Sequence, residues 1–141
     1  MGRSQEEIAQ EIATRAHAGQ VDKAGRPYIE HPAQVASSVE GETAKAVAWL
    51  HDVVEDTAIM FDDLASMGVA AEVVDAVRVL TRKEDEPYFD YVARIAKNPL
   101  AREVKLADLA HNSDLTRLSK VTDADRARAE KYRKAKAMLT E

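Results

Sequence analysis

Apolar positions recur every three or four residues along nearly the whole chain, the period of an amphipathic helix. Ile8, Ile12 and Ala16 repeat behind Ser4 and Glu7, and Ser-x-x-Glu is the spacing of a capping box. A first helix is therefore predicted from Ser4 toward Gly19, a residue suited to ending it. Residues 20–27 hold Gly25 and Pro27 and read as a loop. His31-Pro32 opens the next helix, with the proline in the first turn, where its missing N–H costs little. Gly41 breaks that helix. Thr43 to Val54 is strongly apolar and predicts one central helix. A short helix begins at Asp62-Asp63-Leu64 and ends at Gly68. Val73, Val74, Val77 and Leu80 mark a helix from Ala70 to Leu80, followed by a charged loop over 82–87. Phe89 to Ala96 is amphipathic, Pro99 restarts a helix carrying Val104 and Leu106, and Asp123 to Leu139 is a highly charged last segment. No segment alternates as a strand does. The pattern predicts an all-α helical bundle of about seven or eight helices, one domain over residues 1–141.

Composition narrows the function classes. The 20 basic and 25 acidic residues give a net charge of −5. Nucleic-acid and membrane-surface binders need a basic excess, so neither is expected as a partner. A small anionic ligand remains compatible, because a bound cation supplies local positive charge. There is no cysteine, so any metal must be held by His, Asp, Glu or water. The N-terminal residues are polar and acidic, which does not read as a signal peptide. No apolar run reaches the ~20 residues of a membrane span. A cytoplasmic location is the expectation, and a homodimer is left open.

The most informative stretch is Leu50-His51-Asp52-Val53-Val54-Glu55-Asp56-Thr57. On a helix, Glu55 stacks one turn beyond His51, and Asp56 one turn beyond Asp52. Such a face can hold a metal and position a water; the plain alternative is a polar face turned to solvent. Asp108 lies in an apolar helical run, where a lone carboxylate is costly unless paired or metal-bound. His31, His51, Asp52 and Asp108 would make a set of two imidazoles and two carboxylates. That donor set suits Mn²⁺, Fe²⁺ or a similar ion, with zinc also allowed. His111 and Asn112 share the face of Asp108. For His17, simple packing is expected.

The order His31, His51-Asp52, Asp108 resembles the H…HD…D pattern of the HD-domain metal-dependent phosphohydrolases. Further words narrow it: Ala16-His17-Ala18-Gly19-Gln20, Pro27-Tyr28-Ile29-Glu30-His31-Pro32, the octet above, and Lys105-Leu106-Ala107-Asp108. They resemble the hydrolase domain of the RelA/SpoT homologues over roughly residues 8–118, with the stand-alone small alarmone hydrolases nearest in length. The resemblance implies the HD-domain fold and Mn²⁺-dependent removal of the 3′-pyrophosphate from ppGpp and pppGpp. It implies that His31, His51, Asp52 and Asp108 ligate the metal and that Glu55 and Asp56 position and deprotonate the water. It implies nucleotide contacts from Asn112 and Tyr132, while Lys23, Arg26, Arg82 and Lys83 are candidates for the phosphates or solvated loop charges. Family members commonly carry an arginine where Asp22 stands here, so weaker binding of a polyphosphate is expected. Two other readings stay open: a phosphohydrolase of another nucleotide or phosphorylated dinucleotide, and a non-catalytic alarmone sensor.

Overall fold

The capping box at the start of the chain forms. Ser4 Oγ accepts from the Glu7 amide at 3.1 Å and Glu7 Oε1 accepts from the Ser4 amide at 3.2 Å. The computed structural model describes residues 3–22, 24–114, 118 and 120–140. Among these residues it contains α1 (Gln5–Ala16), α2 (Glu30–Ser37), α3 (Glu42–Leu50), α4 (Val53–Asp56), α5 (Phe61–Ser66), α6 (Ala71–Leu80), α7 (Tyr88–Ile95), α8 (Pro99–Asn112) and α9 (Asp123–Thr140). No strand occurs among the described residues; Val21 and Pro27 make one isolated bridge across the loop before α2.

The axis of the bundle is α3. Ala44, Ala46, Val47, Ala48, Trp49 and Leu50 are all buried, because a helix apolar on every side must be covered on every side. Its alanines let neighbours approach closely, and α1, α2, α6 and α8 pack around it. Gly41 turns the chain from α2 into α3 with φ +89°, a backbone state that other residues adopt only with strain. Lys45, on α3, reaches back and donates to the Ala36 and Val39 carbonyls at 2.9 Å, satisfying the exposed C-terminal end of α2. The last two helices close the other side, α9 packing on both α7 and α8.

The central helix differs from the sequence expectation. A continuous run from Thr43 to Val54 was predicted, but α3 ends at Leu50 and α4 starts at Val53. Between them Asp52 relaxes to φ −108° and ψ −1°. The cause is local: His51 Nδ1 lies 2.6 Å from the Ala48 carbonyl, the acceptor that the Asp52 amide would use in a continued helix. Counting α3 and α4 as one bent helix gives eight helices among the described residues, within the predicted number.

Candidate metal centre and adjoining cavity

Three separate helical elements deliver one cluster. His31 is the second residue of α2, His51 and Asp52 form the α3–α4 bend, and Asp108 lies in the last turns of α8. One donor atom from each of His31, His51, Asp52 and Asp108 falls within 4.8 Å of all the others. His31 Nε2 is 2.7 Å and His51 Nε2 3.3 Å from Asp108 Oδ1. His51 Nε2 is 3.1 Å and His31 Nε2 3.9 Å from Asp52 Oδ2. Bonds of about 2.0–2.2 Å to a divalent ion put neighbouring donors roughly 3–4 Å apart, so the set fits such an ion. The tautomer of His51 agrees: a carbonyl accepts only from N–H, so Nδ1 carries the proton toward Ala48 and Nε2 faces two carboxylates. An Nε2 lone pair opposite two carboxylate oxygens calls for a positive charge between them.

Electrostatics make the same point. Burial works against a charged His51, yet Asp52 and Asp108 outweigh it and hold its pKa well above the usual histidine value. Burial likewise works against the Asp52 carboxylate, but His51 and the Tyr28 hydroxyl bring it down to about 2. Asp108 is held well below the usual carboxylate range against its burial, chiefly by Lys105 and the two histidines. Lys105 Nζ sits 3.0 Å from Asp108 Oδ2.

Glu55 and Asp56 lie on α4, beside the cluster. Burial raises the pKa of both, and the Asp52 carboxylate adds to the rise in each. Glu55 Oε1 accepts from the Arg82 amide at 2.6 Å, which ties the start of the 82–87 loop to α4. A cavity of about 370 Å³ adjoins the cluster, lined by residues that include Asp22, Tyr28, Asn112, Arg128 and Tyr132. Two of its walls are bonded to the cluster itself. Tyr28 donates its hydroxyl to Asp52 Oδ2 at 2.5 Å, and Asn112 Nδ2 donates to Asp108 Oδ1 at 3.0 Å. The cavity is thus joined to the four-residue cluster through Tyr28 and Asn112.

The chain matches no family model. It is 36% identical over 115 residues to a guanosine-3′,5′-bis(diphosphate) 3′-pyrophosphohydrolase of Haemophilus influenzae, a match spanning 72% of this chain and 17% of that protein. It is 32% identical over 116 residues to the bifunctional (p)ppGpp synthase/hydrolase SpoT of Escherichia coli, spanning 72% of this chain and 16% of that protein. Its fold is similar to that of a metazoan SpoT ortholog described as hydrolysing ppGpp. That match has a TM-score of 0.80 and 24% identity and covers 99% of this chain and 87% of the other. The chain carries an HD-domain hydrolase-like region. It spans only 14–17% of the length of the curated relatives it matches first.

Against the HD-type fold, the remaining expected contacts sort unevenly. Asn112 and Tyr132 line the cavity. Arg82 borders Glu55 through its amide, while its Nε donates to the Glu86 carbonyl at 2.7 Å. Lys83 is exposed, and both its amide bond and its charge fall on Glu86 rather than on the cluster. Arg26 pairs with Glu30 at 3.1 Å. Lys23 lies outside the described residues. Asp22 has a role that its charge alone does not suggest: its Oδ1 accepts from the Ala24 and Arg26 amides at 2.8 and 3.0 Å, so the carboxylate folds its own loop. His17 is buried, with Nδ1 3.0 Å from Gln20 Oε1 and its ring 4.8 Å from Tyr28.

Two partners of the cluster, Tyr28 and Lys105, were given no supporting role by the sequence reading, and His111, placed on the face of Asp108, had its role left open. Tyr28 holds Asp52, Lys105 holds Asp108, and His111 Nδ1 lies 2.6 Å from His31 Nδ1. Lys105 carried a readable signal, since a lysine three residues before a buried acid on a helix shares its face. Tyr28 and His111 reach residues 24 and 80 positions away, which no local spacing reveals.

Proposed function

We propose that this protein is a divalent-metal-dependent phosphohydrolase and that its substrate is (p)ppGpp, from which it releases the 3′-pyrophosphate. The observation that carries the reading is the convergence of His31, His51, Asp52 and Asp108 beside two carboxyls of raised pKa and a cavity of about 370 Å³. The relatives' names point the same way. Mn²⁺ is the proposed ion, because two imidazoles and two carboxylates make a hard-to-borderline donor set. Such an ion supplies the Lewis acidity that lowers the pKa of water and polarises a phosphoryl oxygen.

The chain's own residues do the rest. Glu55 and Asp56, made more basic than exposed carboxylates by burial and by the Asp52 charge, take the proton from the attacking water. Water's oxygen forms the new bond to phosphorus, the bond from phosphorus to the ribose 3′-oxygen breaks, and that oxygen leaves as a hydroxyl with the proton that the two carboxyls took up. GDP or GTP and pyrophosphate are the products. Tyr28 and Asn112 orient the two carboxylates that would hold the ion while walling the cavity that would seat the nucleoside. Tyr132 is a face for the nucleoside, Arg82 the phosphate contact nearest Glu55, and Lys83 supplies outlying positive charge. All four ligands come from one chain, so the centre does not require a homodimer.

A second reading rests on one residue. Asp22 lines the cavity, and a carboxylate there favours a base or sugar offering hydrogen-bond donors, which widens the choice of nucleotide. The deciding experiment incubates the Mn²⁺-loaded protein with a panel of nucleotides and measures pyrophosphate and phosphate release. Pyrophosphate from ppGpp is the expected result. Turnover of another nucleotide with none of ppGpp would replace the substrate, and no turnover of any would leave a binding domain.

A further inference from the structure

Four cations gather beside the centre: Lys131 feels the charges of Arg82, Arg128 and Lys105. Two of the four are neutralised, Lys105 by Asp108 and Arg128 by Asp125, each pair at 3.0 Å. Neither the Arg82 nor the Lys131 side chain pairs with a carboxylate among the described residues. Both instead lean on one ring. Lys131 Nζ is 4.3 Å and Arg82 Cζ 5.8 Å from the centroid of Tyr88. The Tyr88 hydroxyl is buried with no hydrogen-bond partner. The cluster touches the reaction machinery twice, through the Arg82 amide on Glu55 and through Lys105 on Asp108.

Two like charges held on one support, without a counter-charge, cost stability, and in a chain of net charge −5 acids are not scarce. The missing member of the arrangement is an anion. Burial, then the three neighbouring cations, lowers the pKa of the Lys131 ammonium, which is what an uncompensated positive site does to its own members. We propose that Arg82 and Lys131, braced on Tyr88, form an anion seat for phosphate oxygens, and that it holds the pyrophosphate released by the reaction. The proposal rests on the hydrolase reading for the identity of its occupant. The seat itself recognises charge and oxygen geometry: an ammonium and a guanidinium supply two charge-assisted contacts, and the Tyr88 hydroxyl a neutral donor. Lys131 then acts as a substrate-positioning residue on α9, the helix that also carries Arg128 and Tyr132 into the cavity wall.

The test titrates inorganic phosphate into Mn²⁺-loaded protein by calorimetry and compares Lys131→Met, Lys131→Arg and Lys136→Met. Lys136 is on the same helix and loses the same charge from a different groove. Lys131→Met should weaken phosphate binding about tenfold or more, the size of one charge-assisted hydrogen bond. Lys131→Arg should restore it, and Lys136→Met should leave it unchanged. With ppGpp, Lys131→Met should raise KM by a similar factor and leave kcat nearly unaltered. Unchanged phosphate affinity in Lys131→Met overturns the seat, as does an equal loss in Lys136→Met. Phosphate binding that depends on Lys131 in a protein that does not turn over ppGpp leaves the seat standing and removes the substrate instead.

Discussion

Lys105 decides whether the Asp108 carboxylate can sit buried without a cation in the centre, and Lys105→Met isolates that role. Methionine keeps the stem that packs toward Tyr91, whose ring centroid is 5.3 Å from Nζ. The lost pair spans 3.0 Å between side chains that are 12% and 6% exposed. At an effective dielectric of about 20, such a distance corresponds to roughly 5 kcal/mol of attraction. Removing one member of a buried pair costs about 3–5 kcal/mol in practice. Asp108 keeps the Asn112 amide at 3.0 Å and His31 at 2.7 Å, so the lower end, about 3 kcal/mol, is expected in chelator. A divalent ion supplies the same compensation, so with saturating Mn²⁺ the loss should shrink to about 1 kcal/mol. Linkage converts that difference of about 2 kcal/mol into roughly thirtyfold tighter metal binding by the variant. The sign is opposite to that of a lost ligand. The acid side follows: the lowered Asp108 pKa contributes stability that is present above its unfolded value and lost as pH falls through the folded one. Without Lys105 that contribution should be smaller, and its loss should be complete at a higher pH. Urea unfolding followed by circular dichroism, in EDTA and in Mn²⁺, reads the stabilities, and calorimetry reads the metal. Equal losses in both conditions, or weaker metal binding by the variant, would refute the reasoning.

Three further outcomes are expected. Glu55→Gln and Asp56→Asn should keep the metal and lose about 10²–10⁴-fold in turnover; near-normal rates with metal bound would remove these two groups from the proton transfer. Burial and the neighbouring carboxylates raise both pKa values, so each group disfavours the folded state as pH rises through its raised value. In chelator each substitution should therefore increase Tm at pH 8 and not at pH 4. Tyr28→Phe removes the hydroxyl that Asp52 accepts and should weaken metal binding about 10–100-fold, read by calorimetry; an unchanged constant would make that bond incidental. Asp22→Asn keeps the acceptor for the Ala24 and Arg26 amides while removing a charge, so KM for a phosphorylated nucleotide should fall. Asp22→Arg loses those loop bonds, and faster amide exchange over residues 20–28 should report it.

The helices were legible because burial imposes their period, and a period is a property of neighbours in sequence. The bend at His51-Asp52 was not, because it depends on where an imidazole turns: toward the Ala48 carbonyl rather than outward. That small departure matters for the centre. It commits Nδ1, aims Nε2 at Asp52 and Asp108, and frees Asp52 to meet Tyr28. The four candidate ligands could be picked out as residue types in a familiar order, but their meeting depends on α2 and α8 both packing against α3. The bond of Tyr28 to Asp52 and the contact of His111 with His31 were hidden for the same reason, and Lys131 was hidden by its setting in a segment that reads as solvated charge. What the fold adds to the pattern is a balance of charge. Asp52, Glu55, Asp56 and Asp108 are brought into one small region, and burial raises the cost of charge on each of them. Lys105 offsets one of these charges. A cluster so built is stable only with further positive charge, and a divalent ion supplies that charge while leaving Glu55 and Asp56 free to accept a proton.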